Sequence, residues 1–421
     1  MSASKDIGAT AESALILRQM FRASWLLRFV VVVVVLAGNH VRLGGQDDKA
    51  EPGLAVLGST FKKHVEEAGI VGASLLVVRD GQVLTHETAG YQDLDTKTPT
   101  APTTIYHWAS ITKTFTGIAI MQLRDRGLLT LDTPAVNYVP ELRRVHNPFG
   151  DISQVTVRTL MQHAAGFRES TWPWGGDKAW HPYEPTSWEQ LAAMLPYTEL
   201  LFAPGTEYRY SNPGIVFLGR IIEELSGEDF EVYVTKNILM PLGMHRTFFD
   251  RTPYYLLPNR SHSYVRTDGT LAEARFDFDT GVTVSNGGLN APLTDMALYL
   301  QFLMGEPMRP TYDAVLKRAS LEEMWRPTLV ARDGEGGSGE SVKIGLSFFV
   351  ERYGEVTLIG HSGDQNGFIS HLYLHQPSHT AWVVNFNTDV TTKGAARSRT
   401  RAVDDAVRDA VIAHIIETSS N

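Results

Sequence analysis

The sequence predicts an α+β fold: an antiparallel sheet formed by both chain ends and flanked by helices, with an all-helical lobe inserted over roughly residues 109–275. Three observations predict it. Strand-like runs gather near both ends, at residues 73–89 and 343–387. Between them lie short helical patterns separated by loops rich in Pro, Gly and Trp. Apolar residues recur at helical spacing before the first strands, over 54–68, and after the last, over 401–416. No internal repeat at solenoid periods competes with this reading.

Residues 1–38 read as an export segment. Arg18, Arg22 and Arg28 precede Phe29, the run from Val30 to Val35, and Leu36-Ala37-Gly38. A basic flank, a short apolar core and small residues make a signal peptide. The clean apolar run is about ten residues, against the roughly twenty of a spanning helix. A signal anchor attaching the protein to the membrane is the alternative, and Met20 an alternative start. The expectation is export, to the periplasm or the medium. Residues 39–53 form a linker and 54–421 the folded domain.

Within that domain, residues 73–78 and 82–89 flank Asp80-Gly81 and read as a β-hairpin with a tight turn. A helix starts close to Ser110, with Ile111, Phe115, Ile118 and Ala119 on one face, and ends near Arg126-Gly127. Residues 155–163 and 215–226 are the clearest helices of the lobe, and Gly227 stops the second. Trp172-Pro173-Trp174-Gly175-Gly176, with Trp180, is either an aromatic wall of a cleft or a loop packed on itself. Residues 294–304 are helical. Gly334 to Gly339 matches G-x-G-x-x-G in spelling, but it follows no convincing strand and opens no helix, so it reads as a flexible loop. Four strand-like runs follow, at 343–350, 355–359, 367–374 and 381–387.

Composition narrows the chemistry. The 421 residues are 43% apolar and 20% charged, as in an ordinary globular protein. A net charge of −9 with no basic run argues against nucleic-acid binding. The absence of cysteine excludes disulfides, thiol nucleophiles, thiolate metal sites and a lipoprotein anchor. His371 and His375 share one face of a strand, but no third ligand is evident, so no metal or other cofactor is expected. His86-Glu87 lacks the second histidine of H-E-x-x-H.

Three segments carry the catalytic candidates. Ser110 and Lys113 lie three apart in the first turn of their helix and face the same small volume. The free N–H groups and positive dipole end of that turn point there too. Dipole and burial both disfavour an ammonium, so Lys113 can be held neutral and take the proton of Ser110. Spacing alone is unspecific, because Ser2–Lys5 and Ser59–Lys62 share it. The turn-rich stretch 204–214 offers a phenol at Tyr210 and, at Asn212, an amide that both donates and accepts. Residues 360–367, at the start of a strand, are small enough to let a substrate lie along a sheet edge beside backbone N–H groups.

Ser110-Ile111-Thr112-Lys113, Tyr210-Ser211-Asn212 and His361-Ser362-Gly363, in this order, resemble the motif trio of the penicillin-recognising serine enzymes. That superfamily holds the β-lactamases and penicillin-binding proteins, and Tyr-x-Asn points to its class C-like branch. The resemblance runs from residue 54 to the C-terminus. Leu128-Leu129-Thr130-Leu131-Asp132, Leu160-Met161-Gln162-His163, Pro241-Leu242-Gly243-Met244 and Gly287-Gly288-Leu289 reinforce it. It implies a serine hydrolase with Ser110 as acyl-accepting nucleophile, Lys113 as proton acceptor and Tyr210 as proton shuttle. Asn212 would hold the substrate's amide, the Ser110 and Asp364 N–H groups the oxyanion, and His361, Ser362 and Gly363 would line the substrate. Whether Lys113 or Tyr210 is the main base stays open.

The implied substrate is a small molecule or short peptide: an ester, a D-amino-acid peptide or a β-lactam amide. A non-catalytic penicillin-binding or sensing module on the same fold is the alternative. One departure bears on the choice. β-Lactamases of this branch usually have Lys where this chain has His361, and imidazole is a weaker, pH-dependent cation. The resemblance therefore implies weak β-lactam turnover beside real ester or peptide hydrolysis. An α/β-hydrolase would need G-x-S-x-G, which Gly360-His361-Ser362-Gly363-Asp364 misses by one residue.

Overall fold

Asp80 and Gly81 both take positive φ, +49° and +72°, the left-handed pair that a two-residue hairpin turn needs. They join β1 (Gly72–Arg79) to β2 (Gln82–Asp93), which pair antiparallel. The computed structural model describes residues 52–170, 185–305, 310–332 and 341–417. The N-terminal apolar segment, the tryptophan-rich loop and the glycine-rich run from Asp333 therefore lie outside the described residues.

Helix α1 (Pro52–Ala68) precedes the hairpin, and β3 (Thr98–Pro99) and β4 (Ile105–His107) follow it. The catalytic-candidate helix is α2 (Thr112–Asp125). Short helices come next, among them α3 (Val157–Met161) and α4 (Asn212–Ser226). The stretch that closes the lobe also holds extended pieces: β5 (Phe248–Phe249), β6 (Ser263–Thr267), β7 (Thr270–Ala274) and β8 (Leu289–Pro292). Between the last two lies α5 (Val284–Gly287), and α6 (Leu293–Met304) follows β8. The C-terminal part supplies β9 (Leu329–Arg332), β10 (Ser341–Ile344), β11 (Phe349–Tyr353), β12 (Val356–Gln365), β13 (Phe368–His375), β14 (Thr380–Phe386), β15 (Thr388–Thr391) and α7 (Arg399–Val411).

Both chain ends do build one antiparallel sheet, of order β3-β2-β1-β14-β13-β12-β11-β10-β9. The junction is β1 against β14, with Leu76 opposite Val383 and Val77 opposite Trp382. Those strands are buried on both faces, which is why 73–78 reads as a continuous apolar run. One face packs on α1 and α7 through Phe61, Val65, Trp382, Val403 and Val407. The other packs on the lobe through Phe115, Ile118, Leu300, Leu372 and Val383. A small sheet of order β4-β8-β5 joins the lobe to the segment that enters α2.

Four boundaries that bear on the site differ from the sequence reading. The run read as 355–359 continues to Gln365, so the motif residues lie in the second half of β12 and not at the start of a strand. The run 343–350 is two strands, because Gly345 passes so close to Met324 that a Cβ would lie 2.2 Å from its carbonyl oxygen, and Ser347 takes φ +60°. The helix read over 155–163 is confined to α3, where Thr156 and Thr159 form a reciprocal cap. Helix α4 starts earlier than 215, since Ser211 Oγ accepts the Gly214 N–H at 3.2 Å and Pro213 suits a first turn.

Helix α7 is keyed to the sheet by a buried ion pair, His371 Nδ1 to Asp404 Oδ2 at 2.8 Å, with the His371 ring stacked on Tyr373. Burial opposes its charge, but Asp404 and then Glu351 outweigh it and lift His371 from 6.5 to about 9. A pKa raised on folding gives stability that is complete below the unfolded value and lost as pH rises through the folded one. Thermal stability should therefore decline from pH 6.5 towards about 9. His371→Gln should flatten that decline in melting curves recorded across the same range.

Candidate active site

The site begins with a strained turn. After β4 the chain bends at Ala109, φ +47°, into a single 3₁₀ turn, Ala109–Ile111, that leads into α2. A non-glycine residue held left-handed costs about 1–3 kcal/mol and needs surrounding structure to hold it. Here Trp108 Nε1 donates to Ala291 O at 2.9 Å, Asn385 Nδ2 to His107 O at 3.0 Å and Thr112 Oγ1 to Ala109 O at 2.6 Å. From below, β12 approaches so closely that a Cβ on Gly363 would lie 2.3 Å from Trp108 O and 2.4 Å from Ser370 Oγ. Only glycine permits that approach. Ser110 thus sits in the turn before the helix proper, partly open to solvent, while Lys113 sits inside.

Lys113 is fully buried. Its Nζ lies 2.9 Å from Ser110 Oγ, 2.8 Å from Asn286 O and 5.1 Å from the centre of the Tyr210 ring. Burial holds its pKa well below the ordinary lysine value, with only the Glu169 carboxylate pulling the other way. Nζ donates to both the Asn286 carbonyl and Ser110 Oγ, contacts that a neutral amine also makes with a lone pair to spare. Tyr210 has Ser110 as a hydrogen-bond partner, and desolvation raises its pKa, so its phenol keeps its proton at neutral pH.

Tyr210 stands between two imidazoles, its ring 4.4 Å from that of His163 and 6.2 Å from that of His361. Asn212 opens α4, and its N–H donates to Glu169 O at 3.0 Å. Its Oδ1 is buried without a partner among the described residues.

Strand β11 begins opposite Gly360 and leaves the rest of β12 unpaired on that edge. From His361 to Gln365, β12 has β13 along one edge and the Ser110 turn along the other. Residues directly opposite in an antiparallel pair share a face. His361 and Gly363, opposite Leu372 and Ser370, therefore face the lobe, while Ser362 and Asp364, opposite His371 and Ile369, face α7. Asp364 Oδ2 accepts from Arg401 Nη2 of that helix at 2.8 Å. What Ser362 and Asp364 offer on the lobe side is their backbone. His361 donates from Nδ1 to Ser362 O at 2.6 Å. Burial pushes it from 6.5 to about 3. The structure therefore sharpens the expectation of a pH-dependent cation near neutrality: this imidazole is uncharged there.

The fold thus gathers Ser110, Lys113, Tyr210 and His361 around one point, with Asn212 two residues beyond the tyrosine. Sequence reasoning missed Asn286, Glu169 and His163. His163 read as the end of a helix and as part of a stretch noted for its resemblance, and Asn286 directly precedes the glycine pair 287–288; nothing in their spacing singled them out. His371 is committed to Asp404, and His375 Nδ1 lies 2.7 Å from Ser378 Oγ. Among the described residues no group of three potential metal-binding side chains forms, and no helix is long and apolar enough to cross a membrane.

A large antiparallel sheet built by both chain ends around an inserted, mainly helical lobe is the fold of β-lactamases and penicillin-binding-protein homologues. The sequence model described as Beta-lactamase matches residues 57–406, and the chain belongs to that family. It is 26% identical over 358 residues to Protein flp of Staphylococcus aureus (strain NCTC 8325 / PS 47), covering 82% of this chain and 66% of that relative. The chain thus spans just under two thirds of that protein's length. Among solved structures it resembles the octameric penicillin-binding protein homologue from Pyrococcus abyssi, with a TM-score of 0.67 at 27% identity over 80% of this chain and 73% of that one. The D-amino acid amidase from Ochrobactrum anthropi SV3 shares the fold, with a TM-score of 0.68 at 22% identity, over 88% of this chain and 99% of that one.

The tight floor gives a direct test. Gly363→Ala must displace either the strand or the Trp108 carbonyl, and overpacking of this kind costs about 1–3 kcal/mol. Calorimetry should show a melting temperature several degrees lower, with reactivity of Ser110 towards a fluorophosphonate probe lost in the protein that still folds.

Proposed function

We propose that the protein is a serine hydrolase that passes through a Ser110 acyl-enzyme and cleaves esters and short D-amino-acid peptides in preference to β-lactams. The observation that carries this reading is the buried Lys113 amine, 2.9 Å from Ser110 Oγ and desolvated enough to be neutral. The lone pair takes the hydroxyl proton as Oγ attacks the substrate carbonyl carbon. Backbone N–H groups of Ser110 and Asp364 receive the oxyanion, each such donor contributing about 3–4 kcal/mol in comparable sites. Tyr210, protonated, gives its proton to the leaving group as the carbonyl–leaving-group bond breaks, and regains one from the Lys113 ammonium. Water then attacks the acyl carbon and loses a proton to the same pair, and the acid departs as Ser110 recovers its hydrogen. Lys113 is the main base in this scheme, because Tyr210 holds its proton more tightly than an ordinary phenol.

Substrate preference rests on His361. An uncharged imidazole supplies no cation for the carboxylate of a β-lactam, and it stays uncharged down to about pH 3. An ester or an amide needs no such cation.

Purified protein should hydrolyse short-chain nitrophenyl esters faster than a chromogenic cephalosporin, and Ser110→Ala should abolish both. Intact-mass spectrometry should find any penicillin adduct transient. A penicillin adduct that never clears, without ester turnover, would instead mark a sensing module. Lys113 must be deprotonated to act as base and burial depresses its pKa, so kcat/KM should fall on acidification through that lowered value. The midpoint should lie well below 10.5, and the limb should vanish with residual activity in Lys113→Ala.

A further inference from the structure

His163 takes no part in the scheme above, yet it is bound on both sides of Tyr210. Its carbonyl accepts the Arg209 N–H at 2.8 Å. Its Nδ1 accepts the Ser211 N–H at 3.1 Å. Its ring lies 4.4 Å from the Tyr210 ring, tilted by 31°. The residues before and after the tyrosine, and the tyrosine itself, are therefore held by one side chain and its own backbone.

Two features mark this arrangement as more than packing. His163 has φ +53°, a left-handed conformation uncommon outside glycine, in which carbonyl and ring together reach the 209–211 segment. Because Nδ1 accepts, the ring proton is on Nε2, and Nε2 is buried without a partner among the described residues. An unsatisfied buried donor costs stability, as does the backbone conformation. Burial holds the pKa of this imidazole well below its ordinary value and keeps it neutral, so the acceptor at Nδ1 persists.

We propose that His163 is a positioning residue for proton delivery: it fixes the Tyr210 phenol in line between Ser110 and the departing atom. This rests on the hydrolase reading and adds a residue outside the three motifs. Its consequence depends on the leaving group. An amine or an alkoxide must be protonated as it leaves, whereas nitrophenolate departs without help. Displacing the phenol should therefore slow the first kind of substrate and spare the second.

The test compares His163→Phe, which keeps the ring and removes the acceptor, with His163→Asn, which keeps an acceptor and tolerates positive φ. Tyr210→Phe is the reference. Steady-state kinetics on one acyl group as amide, ethyl ester and nitrophenyl ester should show kcat/KM of His163→Phe, which reports acylation and not the shared deacylation step, falling at least about tenfold on amide and ethyl ester. On the nitrophenyl ester it should change less than about twofold. His163→Asn should recover part of the loss. Equal losses on all three substrates would overturn the proposal and leave His163 a packing residue. If Tyr210→Phe itself shows no dependence on the leaving group, the role given to Tyr210 fails, an outcome distinct from failure of His163 alone.

Discussion

The structure depends on keeping one amine dry. An ammonium shut away from water without a carboxylate partner is among the most costly groups a protein can hold, and losing a proton is the usual escape. Lys113 is placed in that position, with a carbonyl from α5 and a hydroxyl from the preceding turn as its close polar partners. Sealing it takes the whole interface between lobe and sheet: α2 and α5 on one side, β12 on the other, the Tyr210 ring above. The large buried surface around Phe115, Ile118 and Leu372 therefore sets a protonation state as well as stability. A lobe that loosened would admit water, restore the charge and remove the base.

The two halves contribute different things. The lobe provides the buried amine of Lys113, the phenol of Tyr210 and the unpaired amide oxygen of Asn212. The sheet provides a rigid edge whose backbone lies beside the serine. Neither half contains a complete site, so the long separation in sequence between the motifs follows from the architecture: a lobe inserted into a sheet brings its first turn and its middle loop to the strand that follows it.

Much of this was legible in the sequence because it depends on local rules. The Asp80-Gly81 turn, the apolar runs of β1 and β14 and the helix after Ser110 follow from residue type and period alone. The motif trio pointed to the meeting of three segments, though spacing by itself could not show it. What stayed hidden depended on close approach between distant segments. The break between β10 and β11 comes from Met324 against Gly345, and the hairpin β6–β7 from pairing with β15. Residue type gave His361 as a weak cation; only its burial shows that it carries no charge. His163 looked like the end of a helix, since its grip on 209–211 exists only after folding.

The contact between Gly363 and the Trp108 carbonyl has a consequence for evolution of the cleft. With strand and serine turn already touching, the base of the pocket has no room to be remodelled by changing a side chain there. Variation in what the cleft accepts is left to the rim, and divergence among related chains should concentrate where α7 reaches Asp364.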